Sequence, residues 1–245
     1  LTSLLKQHDR KDMKQTLREK YQIARQKFPA LELFVRRIKE KKLFNITRKK
    51  ISGKGNVIRY TGALLSDVVF DIKGNYNIIE IKQGAFLNSV VFYLRGDNHQ
   101  IHIGPGCRFH KGASIWFEDS GGSLQIGENS TFENIHLAVT EPGSKIEIGL
   151  DCMFAYDIEV RTGDSHSVID SQSGERLNHA QDVFIGNHVW VAAHSIILKG
   201  AFISEDSIVG TGALVTGRFS QKGITIAGNP ARMIKEGITW SRQRI

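Results

Sequence analysis

Ile81-Lys-Gln-Gly-Ala, Ile103-Gly-Pro-Gly-Cys, Ile126-Gly-Glu-Asn-Ser and Ile148-Gly-Leu-Asp-Cys recur about every 22 residues. Ile185-Gly-Asn-His-Val, Ile203-Ser-Glu-Asp-Ser and Val209-Gly-Thr-Gly-Ala follow, closing up to units of six. A fixed period marks a solenoid, and six-residue units point to a parallel β-helix whose three short faces make a triangular turn of roughly 18 residues. The aliphatic residue points into the prism, and the small residues beside it let the corner tighten. The surplus residues per rung between Ile81 and Ile148 predict hairpin bulges at one corner, carrying the turn sequences Arg95-Gly-Asp-Asn, Asp119-Ser-Gly-Gly and Glu141-Pro-Gly-Ser. From Ile148 to Ile185 there are 37 residues, more than one coil needs, so a long loop leaves the prism there.

Outside the repeat the composition changes. Residues 1–50 hold 16 Lys/Arg against 5 Asp/Glu, a net of +11, whereas the rest of the chain has a net of −3. Leu17, Tyr21, Ala24 and Phe28 follow one another at helical steps, Pro29 interrupts, and Leu31, Phe34, Val35 and Ile38 resume. The expected organisation is a basic amphipathic helical segment over 1–52, a β-helix over 53–231 that starts after Gly53 and Gly55, and a short tail over 232–245. The basic helices suit a cap over the open prism end, a partner subunit, an acidic polymer or an anionic membrane surface. With few aromatics to stack bases and no DNA-reading motif, a nucleic-acid partner is not expected. No run of about 18 uncharged apolar residues and no apolar N-terminal block is present, so the expected location is cytoplasmic, with the inner membrane face as the place of any membrane contact. Cys107 and Cys152 each fall four places after a rung isoleucine and read as small core residues. No His, Cys or carboxylate set has metal-ligand spacing.

The run Ile185-Gly-Asn-His-Val-Trp-Val-Ala-Ala-His, then Lys199-Gly, Val209-Gly-Thr-Gly-Ala and Ala227-Gly-Asn-Pro-Ala-Arg, closely resembles the left-handed β-helix (hexapeptide-repeat) acyltransferases. These include galactoside, maltose and xenobiotic acetyltransferases and many capsule and O-antigen modifying enzymes. The likeness is strong over about 148–235, weaker over 81–147 and absent over 1–50. Composition alone leaves the hand of the helix open, and the resemblance implies the left hand.

The resemblance also implies roles. His166, in Arg161-Thr-Gly-Asp-Ser-His166, stands where the family carries its catalytic base, and a neutral imidazole is suited to taking a proton from a sugar hydroxyl. Two extra residues, Asp164 and Ser165, separate it from the glycine; Asp164 either orients the imidazole or caps the turn, and the turn is the favoured reading. Asn88, His110 and Glu133 each fall seven places after a rung isoleucine and are expected to stack in one column. Glu133, Asn134 and His136 are the acceptor-site candidates. Trp190, Ala193, Gly210 and Thr211 match positions that hold the pantetheine arm of acetyl-CoA, and Thr216, Arg218 and Arg232 fall where the adenine and phosphates would be held. His188 and His194 are read as corner residues.

The expectation is therefore an acetyl-CoA-dependent O-acetyltransferase acting on a hydroxyl of a surface polysaccharide, working as a homotrimer with sites between subunits and without a metal. N-acylation of an amino sugar and a non-catalytic scaffold subunit stay open as alternatives.

Overall fold

The computed structural model describes residues 47–244. The described chain winds as a parallel β-solenoid of three sheets, with eight, eight and nine strands. Face A runs from Thr47–Ser52 to Leu214–Val215, face B from Val57–Arg59 to Arg218–Phe219, and face C from Leu64–Ser66 to Thr225–Ala227 and Arg232–Lys235. Each strand pairs in register with its counterpart one coil away, as in Ile81↔Ile103 and Ile103↔Ile126 on face B.

The rung isoleucines form one buried column inside face B, with Ile81, Ile103, Ile126, Ile148, Ile185 and Ile203 each no more than 2% exposed. Face C contributes a second column, in which Phe109, Phe132 and Phe154 stack with centroids 4.4 and 4.8 Å apart. The glycine that follows Ile103, Ile126, Ile148 and Ile185 is needed for clearance. A Cβ at Gly127 would stand 2.5 Å from the carbonyl carbon of Gly149, and one at Gly149 would stand 2.6 Å from that of Gly186. The two cysteines are buried in the same corner stack. Their thiols face the Gly127 and Gly186 carbonyls at 3.0 and 3.1 Å, and burial pushes them up to about 12 and about 11, so neither forms a thiolate near neutral pH.

The surplus residues sit at one corner, as expected, but not as hairpins. Between faces B and C the inward residues are six apart from Ile81 to Val209, and between C and A five or six. Between A and B they are eleven apart in the early coils (Phe92 to Ile103), 25 across the long loop (Val160 to Ile185), six in the next coil (Ile197 to Ile203) and four in the last (Val215 to Phe219). The five extra residues lengthen the face-A strands to as many as six residues, for example Val90–Arg95, and close in a tight turn. These turns stack on one another: a Cβ at Gly74 would meet the Gly96 carbonyl oxygen at 1.8 Å, so side chains are excluded there and no hairpin can leave.

Inside that corner runs a ladder of polar groups, in which Asn77 and His99 are fully buried and Asn56 partly so. Asn77 Nδ2 donates to Asn56 Oδ1, Asn77 Oδ1 accepts from the His99 N–H, and His99 Nδ1 accepts from the Gly122 N–H at 3.1 Å. His99 Nε2 is 3.1 Å from the Arg95 carbonyl oxygen, so the partners select the Nε2–H tautomer. Protonation would turn Nδ1 into a donor facing a donor. Burial holds this imidazole below its ordinary range, while the same group unfolds into water with a pKa of about 6.5. The unfolded chain therefore binds the proton first, and this contribution to stability, complete above that value, is lost as pH falls below it. Thermal stability is expected to drop between pH 7 and pH 5. Replacing His99 by Asn, the residue at the equivalent place in the two preceding coils, is expected to remove part of that slope; a melting series in which H99N keeps the full slope would refute this.

The helices expected over residues 1–52 lie outside the described residues except at their end. There Thr47–Ser52 is a strand, with register Ile51↔Ile72, so face A begins ahead of Gly53 because backbone pairing continues along its edge. At the other end Arg232–Lys235 pairs antiparallel with Thr225–Ala227, and the tail then folds back on face C. Trp240 stacks on His188 at 4.2 Å and donates to the His188 carbonyl. His188 and His194 are corner residues at positive φ, with Nδ1 2.9 Å from Asp151 and 2.7 Å from Asp157 respectively.

Candidate functional site

The long loop leaves face A after Ile158–Arg161 and returns at Val183–Ile185, bridged once on itself between Ile169 and Arg176. Asn178 holds its two arms together. Its amide donates to Asp164 Oδ2 and to the His166 carbonyl, each at 2.8 Å, and its side-chain oxygen accepts from the Val168 N–H at 2.7 Å. Lys199, one coil on, pairs with Asp164 and donates to the Asn178 carbonyl at 2.9 Å. The Lys199 ammonium, helped by the Asn178 amide, holds the Asp164 carboxyl below the usual range against the effect of burial. Asp164 thus serves the turn, and among the described residues it forms no hydrogen bond with the imidazole of His166.

A second pin fixes the loop to the corner below it: Arg176 donates to both Glu141 oxygens, at 3.1 and 2.5 Å. Burial opposes ionisation of Glu141, and the bonds from Arg176 and the Ala180 N–H outweigh it, leaving the carboxyl below its ordinary range.

These pins place His166, exposed, at the edge of a cavity of about 490 Å³ on the outside of face A, which also receives Trp116, His136, Ala138 and Arg161. No hydrogen bond to the His166 ring is formed among the described residues. Burial holds the His136 imidazole below its ordinary range, with Arg161 adding to the effect and Glu159 opposing it. An imidazole with no hydrogen-bond partner beside a half-enclosed pocket is placed to accept a proton from a bound hydroxyl once a donor is brought up to it.

Of the three acceptor candidates, only His136 shares this cavity. The chain turns a corner at Asn134, whose amide lies 3.4 Å from the Lys111 and Gly112 carbonyl oxygens. Glu133 therefore points into a separate groove of about 320 Å³ on face C, lined also by His110, Met153, Ala155, Trp190 and Arg242. The expected column is present, with the Asn88 amide donating to the His110 carbonyl at 2.7 Å and Glu133 paired with Lys111.

The donor candidates divide as well. Trp190 is half-buried in the face-C groove, and Ala193 and Thr211 lie a coil apart at the corner between C and A, where the Gly212 N–H donates to the Ala193 carbonyl and Gly210 accepts from the Ser195 hydroxyl. Thr216 is at the corner between A and B. Arg218 is on face B with its guanidinium 4.6 Å from the Phe202 ring, and Arg232 is exposed in the closing antiparallel strand. None of these residues lines the face-A cavity that His166 borders.

Residues the sequence reading assigned no role, among them Trp116, Arg161, Asn178 and Lys199, complete the geometry. Lys199 and Arg161 lay inside the motifs already quoted. Trp116 had only the alternating pattern of Ala113–Phe117 to mark it as outward-facing. Among the described residues no group of three or more His, Cys, Asp or Glu is placed to hold a metal ion.

No protein-family model matches the chain. A polysialic acid O-acetyltransferase of Neisseria meningitidis is 36% identical over 121 residues, 49% of this chain and 56% of that protein. The chain spans about half the length of the curated relatives it matches. Among solved structures, the polysialic acid O-acetyltransferase OatWY superposes with a TM-score of 0.75 at 32% identity, covering 82% of this chain and 93% of that one. The polySia-specific acetyltransferase NeuO superposes at 0.65 and 29% identity, covering 80% and 88%. Rungs, coil geometry and a match over nearly the whole of a solved relative agree: the chain belongs to the left-handed β-helix, hexapeptide-repeat acyltransferases, in the group of the capsule polysaccharide O-acetyltransferases.

Proposed function

We propose that this chain transfers an acetyl group from acetyl-CoA to a hydroxyl of a bacterial surface polysaccharide, with His166 as general base. The observation that carries the reading is the unpaired, exposed imidazole of His166 at the mouth of the face-A cavity, held there by a loop pinned through Asn178, Lys199 and Arg176. His166 takes the hydroxyl proton as the oxygen attacks the thioester carbonyl. The C–S bond then breaks and the imidazolium returns the proton to the departing CoA sulfur, giving an acetyl ester and free CoA. No acyl-enzyme is needed, since both thiols are buried and protonated.

His166 and Trp190 line different cavities on different faces. This favours a homotrimer in which the face-C groove of one copy, with Trp190, Ala193, Gly210 and Thr211, meets the face-A cavity of the next. Thr216, Arg218 and Arg232 would hold the adenine and phosphates, guanidinium forks suiting phosphate oxygens. The basic N-terminal segment would keep the enzyme at the inner membrane face, close to the growing polymer.

The reading is tested by incubating the protein with labelled acetyl-CoA and polysialic acid or a pool of envelope polysaccharide, followed by mild base. Base-labile label on the polymer is expected. Base-stable label would replace this reading with N-acylation, and no label on any acceptor would remove it.

A further inference from the structure

The outward side chains of face A form a column through the register Asp71↔Tyr93↔Trp116↔Ala138↔Arg161. Its lower half is a closed stack. The Tyr93 and Trp116 rings lie 3.8 Å apart at 17°, and the Arg95 guanidinium covers the other side of Tyr93 at 3.6 Å, itself 2.8 Å from Asp71. The stack stops at Trp116 because the next rung is alanine. The ring face of Trp116 turned away from Tyr93 therefore looks across Ala138 towards Arg161, into the cavity that His166 borders. Strands about 4.8 Å apart put the Trp116 and Arg161 rungs roughly 9.6 Å from each other, enough for one ring between them at two contact distances of about 4 Å.

An independent observation points to a polar ligand in the same place. Among the described residues, the buried side-chain nitrogen and oxygen atoms without a hydrogen bond are Thr140 Oγ1 and Arg161 Nε. Both residues line this cavity. Arg161 Nε is 3.0 Å from Glu159 Oε1, but the pair is not aligned as a hydrogen bond. Buried polar groups are almost always satisfied, and two exceptions in one pocket require an explanation.

We propose that this missing rung is a slot for one pyranose ring of the acceptor glycan. Trp116 supplies the stacking surface, Ala138 the room, and Thr140 and Arg161 the polar contacts that select the ring presenting its hydroxyl to His166. A sugar has both features the slot asks for: a face of C–H bonds that suits the negative face of an indole, and hydroxyls at its rim. The proposal rests on the transfer reading for the identity of its occupant and makes Trp116 a specificity-determining residue.

The test is equilibrium binding of sialic acid oligomers and other bacterial surface glycans to the full chain, which needs no turnover. Trp116→Ala is expected to weaken binding about tenfold and Trp116→Phe to retain most of it, with acetyl-CoA affinity unmoved in both. Thr140→Val removes a hydroxyl that has no protein partner, so it is expected to weaken glycan binding about fivefold without lowering the melting temperature. Binding undiminished by Trp116→Ala, no glycan bound by the wild type, or an equal loss of acetyl-CoA binding would each overturn the slot. A wild-type chain that binds glycan through Trp116 yet transfers no acetyl group would keep the slot and remove the transfer reading. Intact transfer with an unmoved acceptor KM in Trp116→Ala would do the opposite.

Discussion

His166→Ala is expected to lower kcat for acetyl transfer by about 10²- to 10⁴-fold while leaving the melting temperature and acetyl-CoA affinity where they are. The size follows from the role: a sugar hydroxyl is a poor nucleophile near neutral pH, and a positioned base removes its proton as the bond to the acetyl carbon forms. The selectivity follows from the geometry. The His166 ring is exposed and accepts or donates no hydrogen bond among the described residues, so its removal opens no cavity and orphans no partner. The loop contacts that hold this position use the His166 carbonyl and the side chains of Asn178, Asp164 and Lys199, all of which the variant keeps. Single-turnover rates at saturating acceptor are the measurement. A loss below tenfold would take His166 out of the base role, and a loss accompanied by a lower melting temperature would assign it a structural one.

Phe132→Ala is expected to cost about 3–5 kcal/mol of stability, the range for emptying a fully buried aromatic site. Phe132 is 0% exposed and has a ring on each side, Phe109 at 4.4 Å and Phe154 at 4.8 Å. Its loss breaks two stacks as well as leaving a void in mid-solenoid, where each coil is supported only by its neighbours. Phe184→Ala is the matched control. Phe184 also stacks on a neighbour, Phe202 at 4.7 Å, but on the outside of face B with 36% exposure. There the cost is expected to be about 1 kcal/mol. Urea unfolding of the two variants distinguishes the columns, and equal costs would contradict the inside–outside assignment.

The interior was legible in the sequence because it is written at short range. An isoleucine, its glycine and the small residue four places on are read in a single glance, and their repetition gives the coil. The outer surfaces are written at long range. Trp116 and His166 are fifty positions apart and meet only because three coils stack in register, so neither residue's neighbourhood announces the other. Glu133 and His136 illustrate the converse. They are close in sequence and were grouped as one site, but the corner at Asn134 sends them to two faces. The surplus residues were assigned to the right corner and given the wrong form, because turn sequences such as Arg95-Gly-Asp-Asn suit a hairpin and a stacked bend equally well. Only the approach of one coil's glycine to the next coil's carbonyl decides between them.

The prism therefore has two edges whose length hardly varies and one that ranges from four residues to 25. Two corners act as a ruler that keeps every coil in step, and the third is where length can change without disturbing the count. A lineage that lengthens or rewrites that single edge alters the wall of the face-A cavity while the core columns and the coil-to-coil bonding stay untouched. Under the proposed function, recognition of a new polymer can evolve by insertion at one seam, with no renegotiation of the fold that carries the chemistry.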